Sequence, residues 1–217
     1  MPAVVIAAGL LAVAACGGPA QPAEPQTSAA TAAQAVAAAS ASAKSSASPE
    51  VSATGTLAGP EATTESFTYN PAVAPAGAQL AVTAGAAADR TTVRLQVTGL
   101  LPNRGYAAHV HQLPCGPTGA AAGPHHQHQV DPAASPEKPS SDPAFANPGN
   151  EIWLDLRTDA RGNGEVRTEV PFALGDRRPA SVILHEAEQT ATEPGKAGTA
   201  GARVACLNVP FAQITPG

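Results

Sequence analysis

Two histidines separated by one residue, in His109-Val110-His111, have the spacing that most directly allows chemistry. Successive side chains of a β-strand alternate between its faces, so a strand here places both imidazoles on one face, roughly 6–7 Å apart. Two such nitrogens can bind one metal ion, and imidazole suits copper, zinc, iron and nickel. A chance pair on an exposed strand is the alternative for this motif alone. However, five of the six histidines lie between positions 109 and 128, and the sixth, His185, ends an apolar run, so the sequence favours a metal site.

Length and charge limit the classes of function. The chain has 217 residues, enough for one sizeable domain, and a net charge of -5. This charge offers no basic field for nucleic acid, and no feature of the sequence implies a protein partner. The three cysteines, Cys16, Cys115 and Cys206, suggest one pair and one residue with another fate.

The amino-terminal segment is almost wholly apolar from Val4 to Ala15. It is shorter than the roughly 20 residues needed to span a bilayer, and it fits the apolar region of a secretory signal. The following Val13-Ala14-Ala15-Cys16-Gly17 resembles a bacterial lipobox, in which the cysteine receives the lipid. We therefore predict a signal peptide over residues 1–16 and a lipoprotein anchored through Cys16 to the outer side of the bacterial cell membrane. The alternative is an ordinary signal peptide cut nearby, and either form leaves the cytoplasm, where disulfides are permitted.

Residues 17–64 are mostly Ala, Ser, Thr, Pro and Gln, with few large apolar side chains. Such a segment buries too little surface to offset the entropy lost on ordering. We predict a disordered tether over 17–64 that separates the anchor from a folded domain over 65–217.

The domain over 65–217 alternates short β-like runs with Gly, Pro and Asn. Eight strands are predicted: Ser66–Tyr69, Gln79–Thr83, Thr91–Val97, Tyr106–His111, Ile152–Arg157, Glu165–Val170, Ser181–His185 and Val204–Val209. Many short strands without a convincing helix indicate an all-β fold, an antiparallel sandwich or barrel. The long, Pro-rich stretch from Pro114 to Asn150 interrupts the strands, and its histidines favour a functional loop.

Cys115 lies at the start of this loop, and Cys206 lies in the last predicted strand. A disulfide between them would close about 90 residues and contribute about 4 kcal/mol in the chain-entropy model. Two buried free thiols are the alternative.

Taken together, four motifs resemble the copper–zinc superoxide dismutases. They are His109-Val110-His111, Ala122-Gly123-Pro124-His125, Val182-Ile183-Leu184-His185-Glu186 and Gly201-Ala202-Arg203-Val204-Ala205-Cys206, in the family's order. The resemblance implies a Greek-key β-barrel with the metal site on its outer face, under two long loops. It implies that the copper ligands are His109, His111, His125 and His185. It also implies a Cys115–Cys206 disulfide and an arginine, Arg203, that draws superoxide to the copper; a solvated surface charge is the alternative for Arg203.

The part of the pattern that concerns zinc is incomplete. In the family, the histidine matched by His125 bridges copper to zinc, and zinc needs two later histidines and an aspartate. Here Asn150 and Trp153 fall near the later ligand positions, and neither is a good zinc ligand. Zinc is therefore doubtful, and the sequence resembles the copper-only branch of the family. His126, His128, Asp131 and Asp142 could form a different zinc site, could support the copper ligands, or could be solvated.

Without zinc, another group must orient His125, because a ligand imidazole normally donates its second N–H to a partner. Glu151 and Glu188 are the carboxylates considered for this role. Gln189 falls near the position where the family has an aspartate that links the two metal shells.

Three hypotheses follow from these residues. The first is an exported superoxide dismutase that converts superoxide to dioxygen and hydrogen peroxide at a four-His copper site. The second is a non-enzymatic lipoprotein that buffers copper, supported by the extra histidines His126 and His128. The third is a structural remnant that keeps the barrel and binds no metal.

Overall fold

Alternation of apolar and polar residues explains the strands. In Arg90–Thr98, Val93, Leu95 and Val97 are buried, whereas Gln96 between them is exposed. One face of such a strand covers the core and the other meets water. The protein is described here by a computed structural model, which covers residues 50–87, 89–135 and 137–214. The predicted signal peptide, Cys16 and residues 17–49 of the tether lie outside the described residues.

Ten strands occur in the described residues. They are β1 (Glu50–Thr56), β2 (Ser66–Thr68), β3 (Gln79–Ala87), β4 (Arg90–Thr98), β5 (Gly105–Tyr106), β6 (Ala108–His111), β7 (Leu156–Arg157), β8 (Gly164–Val170), β9 (Ser181–His185) and β10 (Arg203–Asn208). Two short 3₁₀ helices are present as well, Gly119–Ala122 and Phe211–Gln213. None of the described helices is long and apolar enough to cross a bilayer.

The strands form two four-stranded sheets with the orders β1-β3-β4-β8 and β2-β10-β9-β6, and a two-stranded sheet of β5 and β7. Every strand pair is antiparallel, and β4 pairs with β8 and β6 with β9 across long intervening segments. One apolar core contains side chains of both larger sheets, such as Leu80 and Leu95 from the first and Val110 and Leu207 from the second. The predicted all-β fold, with antiparallel strands in a Greek-key sandwich, is confirmed.

The described fold begins before Glu65, the predicted start of the domain. β1 lies inside the stretch assigned to the tether and pairs with β3 along its whole length, from Glu50 opposite Gly85 to Thr56 opposite Gln79. Most of its residues are small, and only Val51 is a large apolar residue, so composition alone did not separate β1 from the tether. The next residue, Leu57, is 1% exposed and belongs to the core.

Two long loops lie beside the second sheet. The first, residues 112–155, leaves β6, and the second, residues 186–202, joins β9 to β10. A disulfide between Cys115 and Cys206, whose Cα atoms are 5.9 Å apart, ties the start of the first loop to the central strand β10. The predicted strand Ile152–Arg157 is shorter than expected, because only Leu156 and Arg157 pair as β7 while Trp153 makes an isolated bridge to His109.

Candidate metal centre

Four histidines from separate parts of the chain come together. His109 and His111 lie on β6, with ring centroids 6.4 Å apart, and His185 ends the neighbouring strand β9. His125 reaches the group because the first loop folds back on β6, where His111 and His125 form an isolated bridge. One nitrogen of each ring lies within 4.8 Å of those of the other three.

Three of the four rings use Nδ1 to hydrogen-bond the protein. His111 Nδ1 lies 3.0 Å from the carbonyl oxygen of Gly123, and His185 Nδ1 lies 3.4 Å from that of Gly201. His125 Nδ1 lies 2.8 Å from Glu151 Oε2. Because carbonyl and carboxylate oxygens only accept, each Nδ1 donates its proton, and the Nε2 of each neutral ring keeps a free lone pair.

The ring of His109 contacts the protein through Nε2 and not through Nδ1. Its Nε2 lies 2.7 Å from Thr190 Oγ1, and its Nδ1 is the one buried side-chain nitrogen or oxygen among the described residues without a hydrogen-bond partner. A buried polar atom without a partner costs free energy unless some other group satisfies it.

The closest approach between two rings of the group also favours a bound cation. His111 Nε2 and His185 Nε2 are 3.4 Å apart, and since both rings donate through Nδ1, two lone pairs face one another. A metal ion bound between them would satisfy both lone pairs and the free Nδ1 of His109. Four neutral imidazoles suit copper in either of its two common oxidation states, so the residues present fit this ion.

The surroundings favour the neutral form of His109, His111 and His185. Burial, followed by the nearby His125, holds the pKa values of His109 and His111 well below 6.5. Burial also lowers the pKa of His185 to about 3. Metal binding needs deprotonated ligands, so this site is ready to bind a cation at neutral pH without releasing protons from these rings.

Arg203 lies at the edge of the group, opposite His185 in the pairing of β10 with β9. Its two terminal nitrogens donate to the carbonyl oxygens of Gly119, at 2.7 Å, and Gly123, at 2.6 Å. The guanidinium is thereby fixed in place, because its fork of donors is held at two points. Burial lowers its pKa, but an arginine remains charged in proteins.

Comparison with known proteins identifies the family to which this chain belongs. Residues 77–209 match the family model described as copper/zinc superoxide dismutase (SODC). The chain belongs to the copper/zinc superoxide dismutase family. Comparison with solved structures finds the Cu/Zn superoxide dismutase from Brucella abortus, which is 18% identical, with 72% of this chain and 98% of that chain covered and a TM-score of 0.47. A search of the curated proteins finds no match.

In this superoxide dismutase family member, Glu151 is the carboxylate that contacts His125. Glu151 is 2% exposed and accepts three hydrogen bonds, from His125 Nδ1, Trp153 Nε1 and Gln127 Nε2. The other carboxylate considered for this role, Glu188, lies on the surface in an ion pair with Arg157.

A cavity of about 430 Å³ opens beside the superoxide dismutase site. His125, Glu151, His185 and Arg203 line it, together with Val130 and Arg177. Arg177 is anchored by a hydrogen bond to the carbonyl oxygen of Gln127. An anion entering this cavity therefore meets two arginines, one of them beside the four histidines.

The residues proposed for an alternative zinc site are not brought together. His126 is buried, with Nδ1 3.0 Å from Gln112 Oε1, while His128 stacks on Phe172 at the surface. Asp131 accepts hydrogen bonds from Ser140 and from the backbone of Ala133, and Asp142 accepts one from the backbone of Ala144. Within residues 50–87, 89–135 and 137–214, the four-His group is the one cluster of three or more His, Cys, Asp or Glu residues arranged to bind a metal.

Sequence reasoning missed Thr190 and Asp155. Gln189, the residue considered for the position near the ligands, is exposed, and its neighbour Thr190 contacts His109 instead. Asp155 accepts hydrogen bonds from Thr190 Oγ1 and from the backbone of Thr190, both at 2.8 Å. Its position in the apolar run Ile152-Trp153-Leu154-Asp155-Leu156 was a usable signal, because a carboxylate among core residues needs partners.

Proposed function

We propose that this chain is an exported, lipid-anchored superoxide dismutase that uses copper and does not need zinc. The observation that carries the proposal is the convergence of four imidazole lone pairs beside a fixed arginine. Among the residue types present, this donor set fits a copper ion better than it fits a packing role, since two of the lone pairs face each other at 3.4 Å.

Copper bound there would supply one-electron exchange, by which one superoxide is oxidised to dioxygen and a second, taking up two protons, is reduced to hydrogen peroxide. The protein's own contribution is to hold the ion among four imidazole rings and to bring the anion to it. Arg203 offers a positive charge fixed by two carbonyl oxygens, which attracts and orients a small anion. The cavity lined by Arg203 and Arg177 gives that anion a route to the ligands.

Glu151 supports the part of the proposal that concerns zinc. In a two-metal site the second ion would hold the far side of the His125 ring, whereas here a buried carboxylate accepts the Nδ1 proton at 2.8 Å. Trp153 and Gln127 hold this carboxylate in turn. His125 is therefore oriented without a second metal ion.

The proposed location depends on the sequence of the amino-terminal segment and on the disulfide. The apolar run ending in Cys16 supports export and lipid attachment. The Cys115–Cys206 disulfide suits an oxidising compartment. Growth with a labelled fatty acid tests the anchor: we expect label in the wild-type protein and none in Cys16→Ser, and label in neither would overturn the anchor.

The activity is tested on the full chain loaded with copper alone. We expect superoxide removal that is faster than that of free copper and is lost in His185→Ala, with one copper bound per chain. Arg203→Ala should retain copper and lose rate, most strongly at low ionic strength, where electrostatic steering is largest. His128→Ala, which changes an exposed ring away from the group, is the control. Activity no better than that of free copper, or unchanged in His185→Ala, would reject the proposal and leave copper buffering as the alternative.

A further inference from the structure

The ring of His109 binds the protein through a different nitrogen from that of its three partners. Its Nε2 faces Thr190 Oγ1 at 2.7 Å, and its Nδ1 has no protein partner. In His111, His125 and His185 it is Nδ1 that hydrogen-bonds the protein. The direction of the Thr190 contact therefore decides which nitrogen of His109 can bind a metal.

The direction of the hydrogen bond between His109 and Thr190 follows from the contact of Thr190 with Asp155. Thr190 Oγ1 lies 2.8 Å from Asp155 Oδ1, and a carboxylate oxygen can only accept, so the hydroxyl proton is donated to Asp155. A hydroxyl has one proton, so toward His109 the same oxygen must accept. Nε2 therefore carries the ring proton, and Nδ1 carries the lone pair.

Asp155 is held in position by the strand that carries His109. Its Oδ1 also accepts from the backbone N–H of Ala108, at 3.1 Å, and its Oδ2 accepts from the backbone N–H of Thr190, at 2.8 Å. Ala108 directly precedes His109 on β6. The carboxylate thus joins β6 to the second loop, and the Thr190 side chain, which is 7% exposed, is fixed between the two.

We propose that Thr190 and Asp155 form a hydrogen-bond relay that holds the ring proton of His109 on Nε2 and so leaves Nδ1, the nitrogen without a protein partner, free. The inference rests on the proposed function only in that the metal at the four-His group is taken to be copper. Thr190 and Asp155 are positioning residues, because neither belongs to the four-His group and both act through His109. The relay also connects the second loop, residues 186–202, to His109, while Gly201 of the same loop contacts His185.

The test compares Thr190→Val with Thr190→Ser. Valine keeps the shape and the backbone hydrogen bond to Asp155 but lacks the hydroxyl, whereas serine keeps the hydroxyl. Thr192→Val, the same change at an exposed position of the same loop, is the matched control. Copper affinity is measured by competition with a chelator, and the tautomer of His109 is measured by nitrogen-15 NMR of the metal-free full chain.

We expect Thr190→Val to bind copper about 10–100-fold more weakly, the usual cost of removing a group that orients a ligand, and Thr190→Ser and Thr192→Val to match the wild type. In metal-free wild-type protein, the His109 ring should show a protonated Nε2 whose proton exchanges slowly with water. That slow signal should be lost in Thr190→Val and kept in Thr190→Ser.

A wild-type spectrum with the His109 proton on Nδ1 would overturn the proposal, and it needs no variant to fold. Equal copper affinity in Thr190→Val and wild type would overturn it too. An equal loss of copper affinity in Thr190→Val and Thr190→Ser would also overturn it, because the hydroxyl that serine keeps would then make no difference. None of these measurements depends on superoxide turnover. Failure of the proposed function would therefore appear as a protein that binds copper through this relay and removes no superoxide.

Discussion

A buried imidazole can serve as a metal ligand when its other nitrogen is hydrogen-bonded by the protein. All four histidines meet this condition, and the acceptors come from the two long loops: Gly123 and Glu151 from the first, Thr190 and Gly201 from the second. Two of these acceptors are backbone carbonyls, which substitution of a side chain does not remove. The two that can be changed directly are Glu151 and Thr190.

Glu151→Gln tests the orientation of His125. Glutamine has one acceptor oxygen where Glu151 uses two, so at least one of the donors from His125, Trp153 and Gln127 faces an amide nitrogen instead. We expect copper affinity, measured by chelator competition, to fall about 10–100-fold. The control is Glu188→Gln, which removes an exposed ion pair with Arg157 and should change neither affinity nor stability appreciably. Equal affinities in the two variants would contradict the role given to Glu151.

The buried His126 makes stability depend on pH. Burial, followed by the charge of Arg177, lowers its pKa from 6.5 to about 4. Between these two values the unfolded chain binds more protons than the folded chain, so the free energy of unfolding falls as the pH is lowered from about 6.5 to about 4. Through His126 alone, the free energy of unfolding is about 3 kcal/mol higher above pH 6.5 than below pH 4, at 1.36 kcal/mol per pKa unit.

Urea unfolding of the metal-free chain at several pH values measures this contribution. His126→Gln should lose less stability than the wild type between pH 6.5 and 4, and His128→Gln, with its exposed ring, should follow the wild-type curve. Parallel curves for wild type and His126→Gln would show that the ring is not held neutral by its surroundings.

At the scale of elements, the position of Arg203 depends on a close approach between β10 and the 3₁₀ helix Gly119–Ala122. A Cβ on Gly119 would lie 2.8 Å from Arg203 Cβ and 3.4 Å from Tyr69 Cδ2. Tyr69 in turn donates its hydroxyl proton to the carbonyl oxygen of Gly116, at 2.9 Å, and holds the segment before this helix. Glycine at 119 therefore lets the loop carbonyls reach the guanidinium.

Gly119→Ala should displace either Arg203 or the carbonyl oxygens that hold it. Because a shift of about 1 Å in a group that guides a reactant can cost up to about 100-fold, we expect a clear fall in the rate of superoxide removal with copper affinity unchanged. Gly175→Ala is the control, since a Cβ there would meet nothing within 4 Å. Loss of copper from Gly119→Ala would show that this helix supports the ligands rather than Arg203.

The elements that carry the ligands could be predicted because their signals are local. Strand alternation and the apolar run before His185 place β6 and β9, and the four motifs fix which histidines meet. The contacts with Glu151 and Thr190 could not be predicted in the same way, because they join loops through side chains 26 and 81 residues from their histidines. β1 was missed for a different reason: its small residues gain their stability from pairing with β3, which composition does not show.

At the scale of the whole molecule, two long loops must be held against the second sheet to complete the site. The Cys115–Cys206 disulfide closes a span of 91 residues that contains His125 and His185. In the chain-entropy model, this crosslink raises the free energy of the unfolded chain by about 4 kcal/mol. The second loop is held by Asp155 and by backbone bonds such as Glu186 to Ala202. The protein thus holds four rings together at a cost in free energy, because one nitrogen has no protein partner and two lone pairs face each other.

That cost gives a prediction for the whole chain. A metal that satisfies those lone pairs binds the folded state and not the unfolded one, so copper should raise the free energy of unfolding by RT ln(1 + [Cu]/Kd), about 2.7 kcal/mol at 100 times Kd. For a chain of this size each kcal/mol corresponds to about 2–4 °C, so we expect the thermal midpoint to rise by roughly 5–10 °C. Calorimetry with and without copper measures this shift. His185→Ala should abolish it, whereas His128→Ala should keep it. A second stabilising step with added zinc would contradict a site in which Glu151 already orients His125.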